Sequence, residues 1–272
     1  MLDLFQSTKP VLGMLHAPAL PGAPGFAGDR SAIVAAVLRD AETLVNAGAD
    51  GLMLENFHDV PFYPGSVPAE TVAEMTALAV AVRRRFEVPL GINMLRNDGR
   101  AALAVAAAAG AQLVRVNVLC GARLTDQGIV HGIAHDLLRD RVRLGAESIH
   151  ILADVDVKHS APLAARPLDE EIDDLFRRGR ADALVVSGAA TGSPTDLADL
   201  TAAKSAAGGV PVFVGSGVTA DTAAEYLAVA DGLIVGTSLK PDGRSTAPID
   251  SARATELIQN AHRAAGSPTN TS

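Results

Sequence analysis

The chain has 272 residues, of which 48% are hydrophobic, and a formal net charge of −8 at pH 7. This length fits one large α/β domain or two small ones, and the apolar fraction allows a large buried core. A negative chain without a run of basic residues lacks the positive patch that binds a nucleic-acid backbone, so no nucleic-acid partner is predicted.

The single cysteine, Cys120, excludes an intrachain disulfide and predicts a reducing, cytoplasmic location. Because Cys120 follows an apolar run, we interpret it as a small buried hydrophobe rather than a nucleophile. The N-terminus lacks the basic and apolar regions of a signal peptide. The most apolar stretch, residues 101–119, contains Gln112, Arg115 and Asn117, so no membrane-spanning segment is predicted.

Short β-type runs alternate with amphipathic helical patterns along the whole chain. The predicted strands cover residues 11–16, 51–56, 89–95, 113–119, 148–157, 183–188, 211–217 and 232–238. Helices are predicted over residues 31–47, 69–86, 131–144 and 168–178, with a last helix over 251–265. Gly48, Gly110, Gly145 and Gly179 follow helical patterns as expected left-handed helix stops.

Eight strand–helix units predict a single closed (β/α)8 barrel, or TIM barrel, over residues 1–266, with residues 267–272 as a disordered tail. A doubly wound open sheet is the alternative, but no G-x-G-x-x-G follows the first strand. The Pro/Gly-rich residues 17–29 are predicted to form a long loop that covers the barrel mouth, as a lid.

The fifth predicted strand ends in charges, within "ADVDVKHS" (153–160). In a barrel, inward side chains at the carboxyl ends of strands line the active-site mouth. Asp154, Asp156 and Lys158 alternate with valines, so all three are predicted to point into the mouth. The same alternation places Arg115 and Asn117 of the fourth strand inward. A buried Asp154–Lys158 ion pair that only fixes strand register is the structural alternative.

Glycines and hydroxyl residues follow the last three predicted strands. They are Ser187, Gly188, Thr191 and Gly192 after the sixth strand, Gly215, Ser216 and Gly217 at the seventh, and Gly236, Thr237 and Ser238 at the eighth. In barrels, the loops after strands seven and eight often bind phosphate through backbone N–H groups, hydroxyls and a helix N-terminus, here the helix predicted near Asp221. Ordinary glycine turns are the alternative interpretation.

Further polar residues end the first three strands and are predicted to lie at the mouth. His16 ends the first strand, Glu55 and Asn56 the second, and Asn93 lies in the third, while His159 follows Lys158. His131 and His135 are separated as "HGIAH", which lacks the glutamate of the H-E-x-x-H zinc motif, so both are predicted to be solvated helix residues.

Four segments together resemble the BtpA/SgcQ family: "GMLHAPALPGAPGF", "VKHSAPL", "VSGAATGSP" and "VGSGVT…ADGLIVGTSLKPDG". The resemblance runs from about residue 9 to residue 265. It implies a (β/α)8 barrel related to the phosphate-binding, aldolase-type barrels. One branch of the family is associated with photosystem I biogenesis and another is encoded beside sugar-phosphate genes, so the resemblance implies no shared reaction.

The residues favour an enzyme that acts on a small phosphorylated substrate, either a sugar phosphate or a nucleotide-like compound. The catalytic candidates are Asp154, Asp156, Lys158, His16 and Glu55. In one mechanism a carboxylate abstracts a proton beside a carbonyl while Lys158 or His16 stabilises the enolate; in the other, Lys158 forms a Schiff base. Two nearby aspartates should raise the pKa of Lys158, which opposes an amine nucleophile unless burial dominates and so favours the first mechanism.

The phosphate and substrate ligands are predicted to be Ser187, Gly188, Gly215, Ser216, Gly217, Gly236, Thr237, Ser238, Asn93, Arg115 and Asn117. No cofactor is predicted, although carboxylate oxygens suit Mg²⁺, and Asp154, Asp156 and Glu55 are the alternative metal ligands. The rival function is a non-catalytic assembly factor built on a barrel, since a fold does not determine a function. Association of the chain into a homo-oligomer is an open alternative to a monomer.

Overall fold

The computed structural model describes residues 1–188 and 192–266, which form eleven strands and eight α-helices. The strands are β1 (Val11–His16), β2 (Gly51–Glu55), β3 (Leu90–Asn93), β4 (Leu113–Val116), β5 (Ala122–Thr125), β6 (Gly128–His131), β7 (His150–Asp154), β8 (Ser160–Pro162), β9 (Ala183–Val186), β10 (Val212–Val214) and β11 (Gly232–Val235). The helices are α1 (Arg30–Asn46), α2 (Ala69–Arg85), α3 (Gly99–Ala109), α4 (Ala134–Arg143), α5 (Leu168–Asp173), α6 (Leu197–Ala206), α7 (Ala223–Leu227) and α8 (Ser251–Ala264).

Eight parallel strands close into a barrel in the order β1-β11-β10-β9-β7-β4-β3-β2. Each barrel strand corresponds to one predicted strand, and the predicted (β/α)8 barrel is confirmed. All barrel strands except β1 end earlier than the sequence predicts. Thr191 and the predicted tail, residues 267–272, lie outside the described residues. No helix of the described part of the chain is both long and apolar enough to cross a membrane.

Inward side chains change from apolar to polar along each barrel strand. The barrel interior is packed by Leu12, Met14, Met53, Leu113, Leu152, Ala183, Val185, Phe213 and Ile234, with Phe5 below them. A larger apolar cluster fills the space between the outside of the barrel and its helices. Since side chains alternate along a strand, the next inward positions are His16, Glu55, Asn93, Arg115 and Asp154. The barrel therefore places these polar groups together at its carboxyl-terminal mouth.

Helix ends follow the expected chemistry with one exception. Gly48, Gly110 and Gly145 have φ angles of 92°, 71° and 61°, as left-handed helix stops require. The stop predicted at Gly179 is wrong, because Gly179 has a φ of −78° and the following Arg180 takes the positive φ of 53°. A Cβ on Gly179 would lie 2.7 Å from the Cys120 Sγ, so this glycine permits close packing instead.

A small antiparallel sheet of order β6-β5-β8 lies beside the barrel, and the sequence analysis missed it. Thr125 pairs with Gly128 across a tight turn, which Gly128 permits with a φ of 93°. His131 therefore ends strand β6, and the helix predicted from residue 131 begins at Ala134. The prediction that His131 is a helix residue is wrong, whereas His135 lies in α4, and both residues are exposed as expected.

Candidate active site at the barrel mouth

A cavity of about 1120 Å³ opens at the carboxyl ends of the barrel strands. The predicted residues that line it are His16, Glu55, Arg115, Asn117, Asp154, Lys158, His159, Gly192, Gly215, Ser216, Gly217, Gly236, Thr237 and Ser238. Ligand pockets typically occupy about 300–1,000 Å³, so the cavity has room for a small metabolite. We call His16, Glu55, Arg115, Asn117 and Asp154 the charged half of the mouth, and Gly215, Ser216, Gly217, Gly236 and Thr237 the glycine half.

Asp154 lies inside the barrel, and both of its carboxylate oxygens are occupied. Arg115 Nε donates to one oxygen at 2.9 Å, and Asn117 Nδ2 donates to the other at 2.6 Å. The side chains of Arg115 and Asp154 are only 4% and 1% exposed. Burial lowers the pKa of Arg115, but the attraction of Asp154 outweighs it and the pKa is raised. Because both carboxylate oxygens already accept hydrogen bonds from neighbouring side chains, the geometry suits a positioning residue.

Asp156 does not point into the mouth, and the prediction that it does is wrong. Strand β7 ends at Asp154, so the strict alternation that placed Asp156 inward no longer applies two residues later. The Asp156 side chain is 68% exposed and lies 3.3 Å from Arg123, which also pairs with Glu171 at 2.5 Å. Asp156 is therefore part of a surface ion-pair cluster outside the cavity.

Lys158 lies in the turn beyond β7 and reaches the cavity between the two halves. Its Nζ donates to the carbonyl oxygen of Gly215 at 3.0 Å. Burial, helped by Arg115, lowers the pKa of Lys158 from 10.5 to about 8 despite Asp154 and Glu55. Carboxylates raise this pKa as expected, but they are Asp154 and Glu55 rather than two aspartates, and burial outweighs them. The described residues form no Asp154–Lys158 ion pair within 4.0 Å, and Asp154 pairs with Arg115 instead.

Glu55 and His16 form a second polar pair in the charged half. His16 Nε2 lies 3.7 Å from a carboxylate oxygen of Glu55, which is too far for a hydrogen bond. Burial raises the pKa of Glu55, although Arg115 and Lys158 oppose this rise. Burial also holds the pKa of His16 well below 6.5, so its imidazole is neutral at pH 7. Both groups can exchange a proton with a substrate.

Three predicted ligands lie behind the cavity wall rather than in it. Asn93 Nδ2 donates to Glu55 at 2.6 Å, which makes Asn93 a support of that carboxylate. Gly188 N donates to the hydroxyl of Ser216 at 2.8 Å, and the buried hydroxyl of Ser187 has no hydrogen-bond partner among the described residues. The Ser216 hydroxyl, predicted to bind phosphate, also donates to Ser193 O at 3.3 Å and so connects two loops.

The alternative Mg²⁺ ligand set is not assembled. Asp156 lies outside the cavity, and both oxygens of Asp154 already accept hydrogen bonds. Within residues 1–188 and 192–266, no three His, Cys, Asp or Glu side chains are grouped so that they could hold a metal ion.

The glycine half depends on backbone that a side chain would obstruct. Gly217 has a φ of 69°, and a Cβ there would lie 2.4 Å from the Cα of Pro194. A Cβ on Gly236 would lie 2.9 Å from the His16 ring. In the described part of the chain, neither the Gly217 N–H nor the Gly236 N–H finds a hydrogen-bond acceptor. Unpaired N–H groups of this kind suit an anion.

The helix predicted to begin near Asp221 is short and gives this half little support. Helix α7 has five residues and begins at Ala223, well after Gly217. The backbone turns themselves, together with the hydroxyls of Thr237 and Ser238, are therefore the anion-binding groups available here.

The loop predicted to be a lid does not line the cavity. The N–H of Ala17 donates to Glu55 O at 2.9 Å and that of Leu20 donates to Asp59 at 2.7 Å, so the loop packs beside the segment after β2. The outer wall of the cavity is formed instead by Phe57, Val60, Phe62, Gly243 and Ser245.

The contacts of Cys120 and Asn56 indicate structural roles for both residues. The Cys120 thiol is partly buried and lies 3.5 Å from Asp174 O, and burial raises its pKa. Asn56 accepts a hydrogen bond from the N–H of Leu95 at 2.7 Å and donates to Asp59 at 3.1 Å, which fixes the loops after β2 and β3.

Arg96 also lines the cavity, and the sequence analysis missed it. It lies three residues beyond the end of β3, where alternation no longer predicts direction. The only sequence signal is the cluster of polar residues "RND" after a buried strand, at positions 96–98.

Three comparisons identify what the chain resembles. The model of the BtpA family matches residues 7–263. An uncharacterized protein of Thermococcus kodakarensis is 47% identical over 251 residues, which cover 92% of this chain and 94% of that protein. The photosystem I biogenesis protein BtpA of Synechocystis is 41% identical over 259 residues, which cover 95% of this chain and 90% of that protein.

Among solved structures, N-(5'-phosphoribosyl)anthranilate isomerase from Pyrococcus furiosus superposes with a TM-score of 0.57. The alignment covers 94% of this chain and 99% of that chain at 12% sequence identity. At such low identity the likeness concerns the barrel fold alone.

Proposed function

The chain belongs to the BtpA family, and we propose that it is an enzyme acting on a small phosphorylated carbonyl compound at the barrel mouth. The observation that carries this proposal is the position of Lys158. Its amine, with a pKa of about 8, contacts Gly215 of the glycine half, while Arg115 and Glu55 of the charged half influence its charge. A reactive amine thus lies between an anion-binding half and a proton-transferring half.

The glycine half would hold the phosphate of the substrate. The free N–H groups of Gly217 and Gly236 and the hydroxyl of Thr237 are the donors that such a group requires. The barrel neighbour from Pyrococcus furiosus has a phosphoribosyl compound in its name, which is consistent with this use of the mouth. A sugar phosphate or a nucleotide-like compound would fit the cavity volume.

In the proposed reaction the neutral amine of Lys158 attacks the carbonyl carbon, and the carbonyl oxygen leaves as water, so that a C=N bond replaces C=O. Protonation of the imine nitrogen makes it an electron sink for the bond broken beside it. Glu55 or His16 accepts or returns the proton at that carbon. In the alternative reaction Lys158 remains an ammonium ion and stabilises an enolate without a covalent bond.

Reductive trapping separates these reactions. Glyceraldehyde 3-phosphate is added with sodium cyanoborohydride, and the modified lysine is identified by peptide mass spectrometry. The chain has four lysines, so Lys9, Lys204 and Lys240 are internal controls. We expect selective labelling of Lys158, at a rate that rises from pH 7 to pH 9 as its amine loses a proton. Equal labelling of all four lysines would exclude the imine reaction.

The phosphate site is tested by the same reaction in Thr237→Glu. The added carboxylate should repel phosphate, so labelling of Lys158 by glyceraldehyde 3-phosphate should fall to the level seen with unphosphorylated glyceraldehyde. Labelling by glyceraldehyde itself should not change. If the variant still favours the phosphorylated aldehyde, the phosphate binds elsewhere.

The second candidate function is a non-catalytic assembly factor. The specific observation in its favour is the 41% identity to a protein named for photosystem I biogenesis. A scaffold has no need for a lysine with a lowered pKa in a cavity. If Lys158 shows no selective labelling and inorganic phosphate does not bind in calorimetry, the assembly function is the better explanation.

A further inference from the structure

Arg96 is a buried cation without an acidic partner in the described part of the chain. Arg96 is 7% exposed and lines the cavity. One terminal nitrogen of its guanidinium donates to the carbonyl oxygen of Lys158, whereas its buried Nε has no hydrogen-bond partner within residues 1–188 and 192–266. Buried polar groups are normally paired, so an unpaired guanidinium nitrogen beside a cavity calls for an explanation.

Arg115 is a buried arginine with a structural role, and its pairing can be compared with that of Arg96. It is paired with Asp154 at 2.9 Å, and that ion pair raises its pKa. Arg96 has no carboxylate within 4.0 Å among the described residues. Asp126 lines the same cavity, but its carboxylate accepts from its neighbour Gln127 at 2.5 Å. Burial lowers the pKa of Arg96, although Asp154, Asp126 and Glu55 act in the opposite direction.

The contacts place Arg96, the amine and the glycine half in sequence across the cavity. Arg96 contacts the backbone of Lys158 from the side of β3. The Lys158 amine contacts Gly215 on the side of β10. A substrate whose phosphate lies in the glycine half and whose reacting carbon lies at Lys158 would therefore extend its other end toward Arg96.

We infer that Arg96 binds a carboxylate of the substrate, which makes the substrate class a phosphorylated carboxylic acid. The planar guanidinium can donate two parallel hydrogen bonds to a carboxylate, and among the described residues only one of its terminal nitrogens is bonded, to the carbonyl oxygen of Lys158. The inference rests on the proposed function, because it takes the phosphate site of the glycine half as given. Arg96 is then a specificity-determining residue.

Two ligands that differ at one carbon test this inference. 3-Phosphoglycerate carries a carboxylate where glycerol 3-phosphate carries a hydroxymethyl group. We expect calorimetry to show that the wild-type protein binds 3-phosphoglycerate at least about tenfold more tightly, since one charge-assisted pair is typically sufficient for such a factor. In Arg96→Gln this preference should disappear while the affinity for glycerol 3-phosphate stays the same.

The unchanged affinity for glycerol 3-phosphate is the folding control, because a residue that only supports the Lys158 backbone would weaken both ligands equally. Arg96→Lys retains the positive charge but lacks the planar N–H donors of the guanidinium, so it should keep part of the preference for 3-phosphoglycerate. Equal affinities for the two ligands in the wild type, or equal weakening of both in Arg96→Gln, would overturn the inference and leave the phosphate site intact. If neither ligand nor inorganic phosphate binds, the proposed function fails and the inference fails with it.

Discussion

The two halves of the barrel mouth line one polar cavity with different kinds of groups. The charged half uses side chains that neutralise one another, as Arg115 and Asp154 do at 2.9 Å. The glycine half uses backbone, with Gly217 and Gly236 at positions where a Cβ would collide with neighbouring atoms. Lys158 lies between the halves and contacts the glycine half through its hydrogen bond to Gly215.

This difference determines how each half should respond to mutation. In the charged half, removal of one partner leaves the other as an uncompensated buried charge, and stability falls. In the glycine half, an added methyl group forces the backbone to move, and both stability and anion binding fall. The halves can thus be distinguished by whether stability falls when a charged partner is removed or when a methyl group is added to a glycine.

Asp154→Asn should have the largest effect on stability. It leaves the Arg115 guanidinium, 4% exposed, without a carboxylate. Breaking a buried pair in this way typically costs about 3–5 kcal/mol. Urea unfolding with a fixed m-value measures the loss. A cost below about 1 kcal/mol, as for surface pairs, would mean that water reaches the charged half and that its pairs are not buried ones.

Gly217→Ala should have the next largest effect, because two costs add. A left-handed φ costs about 1–2 kcal/mol for a residue with a Cβ, and the contact with Pro194, 2.4 Å from that Cβ, adds overpacking of about 1–3 kcal/mol. The matched control is Gly110→Ala, where φ is 71° and no atom lies within 4 Å of the Cβ.

Gly110→Ala should therefore show only the first of these costs and leave phosphate binding unchanged. Gly217→Ala should also abolish phosphate binding in calorimetry. Equal unfolding free energies for the two variants would show that the loop around Pro194 yields easily and that the glycine half is not rigid.

Lys158→Met should stabilise the protein in a pH-dependent manner. The lysine pKa is about 8 in the fold and 10.5 in its ordinary state. Between these pH values the unfolded chain binds a proton that the folded chain does not, so wild-type stability rises with pH. The variant should be more stable by up to about 3 kcal/mol below pH 8, and this advantage should vanish toward pH 10.5. Thermal melts at pH 7 and pH 10 measure it, and a pH-independent difference would contradict the lowered pKa.

The barrel can be predicted from the sequence because the alternation of side chains extends over whole strands and turn residues mark where the strands end. Alternation also places His16, Glu55, Arg115 and Asp154 correctly, since all four lie within strands. Beyond a strand end the chain turns and side-chain direction depends on tertiary contacts, so alternation still places Asn117 correctly, one residue after β4, but fails two residues after β7. Asp156 was misplaced for this reason.

The same limit hides other parts of the site. Arg96 follows β3 by three residues, and its position is visible only from its contact with the Lys158 backbone. The lowered pKa of Lys158 depends on burial, which charge spacing along the sequence does not report. The small sheet was missed although "TDQG" between alternating residues is a hairpin signal that includes a glycine.

Asp156→Asn should have the smallest effect on stability. It is a close control for Asp154→Asn, because the two aspartates are only two residues apart in the chain. Its partner Arg123 keeps the closer pair with Glu171 at 2.5 Å, so no charge is left uncompensated. Exposed pairs contribute about 0–1 kcal/mol, and the remaining effect should shrink further in high salt. Labelling of Lys158 by glyceraldehyde 3-phosphate should remain at the wild-type rate. Loss of labelling in Asp156→Asn, with stability unchanged, would mean that residues 155–160 rearrange when ligand binds and bring Asp156 into the charged half.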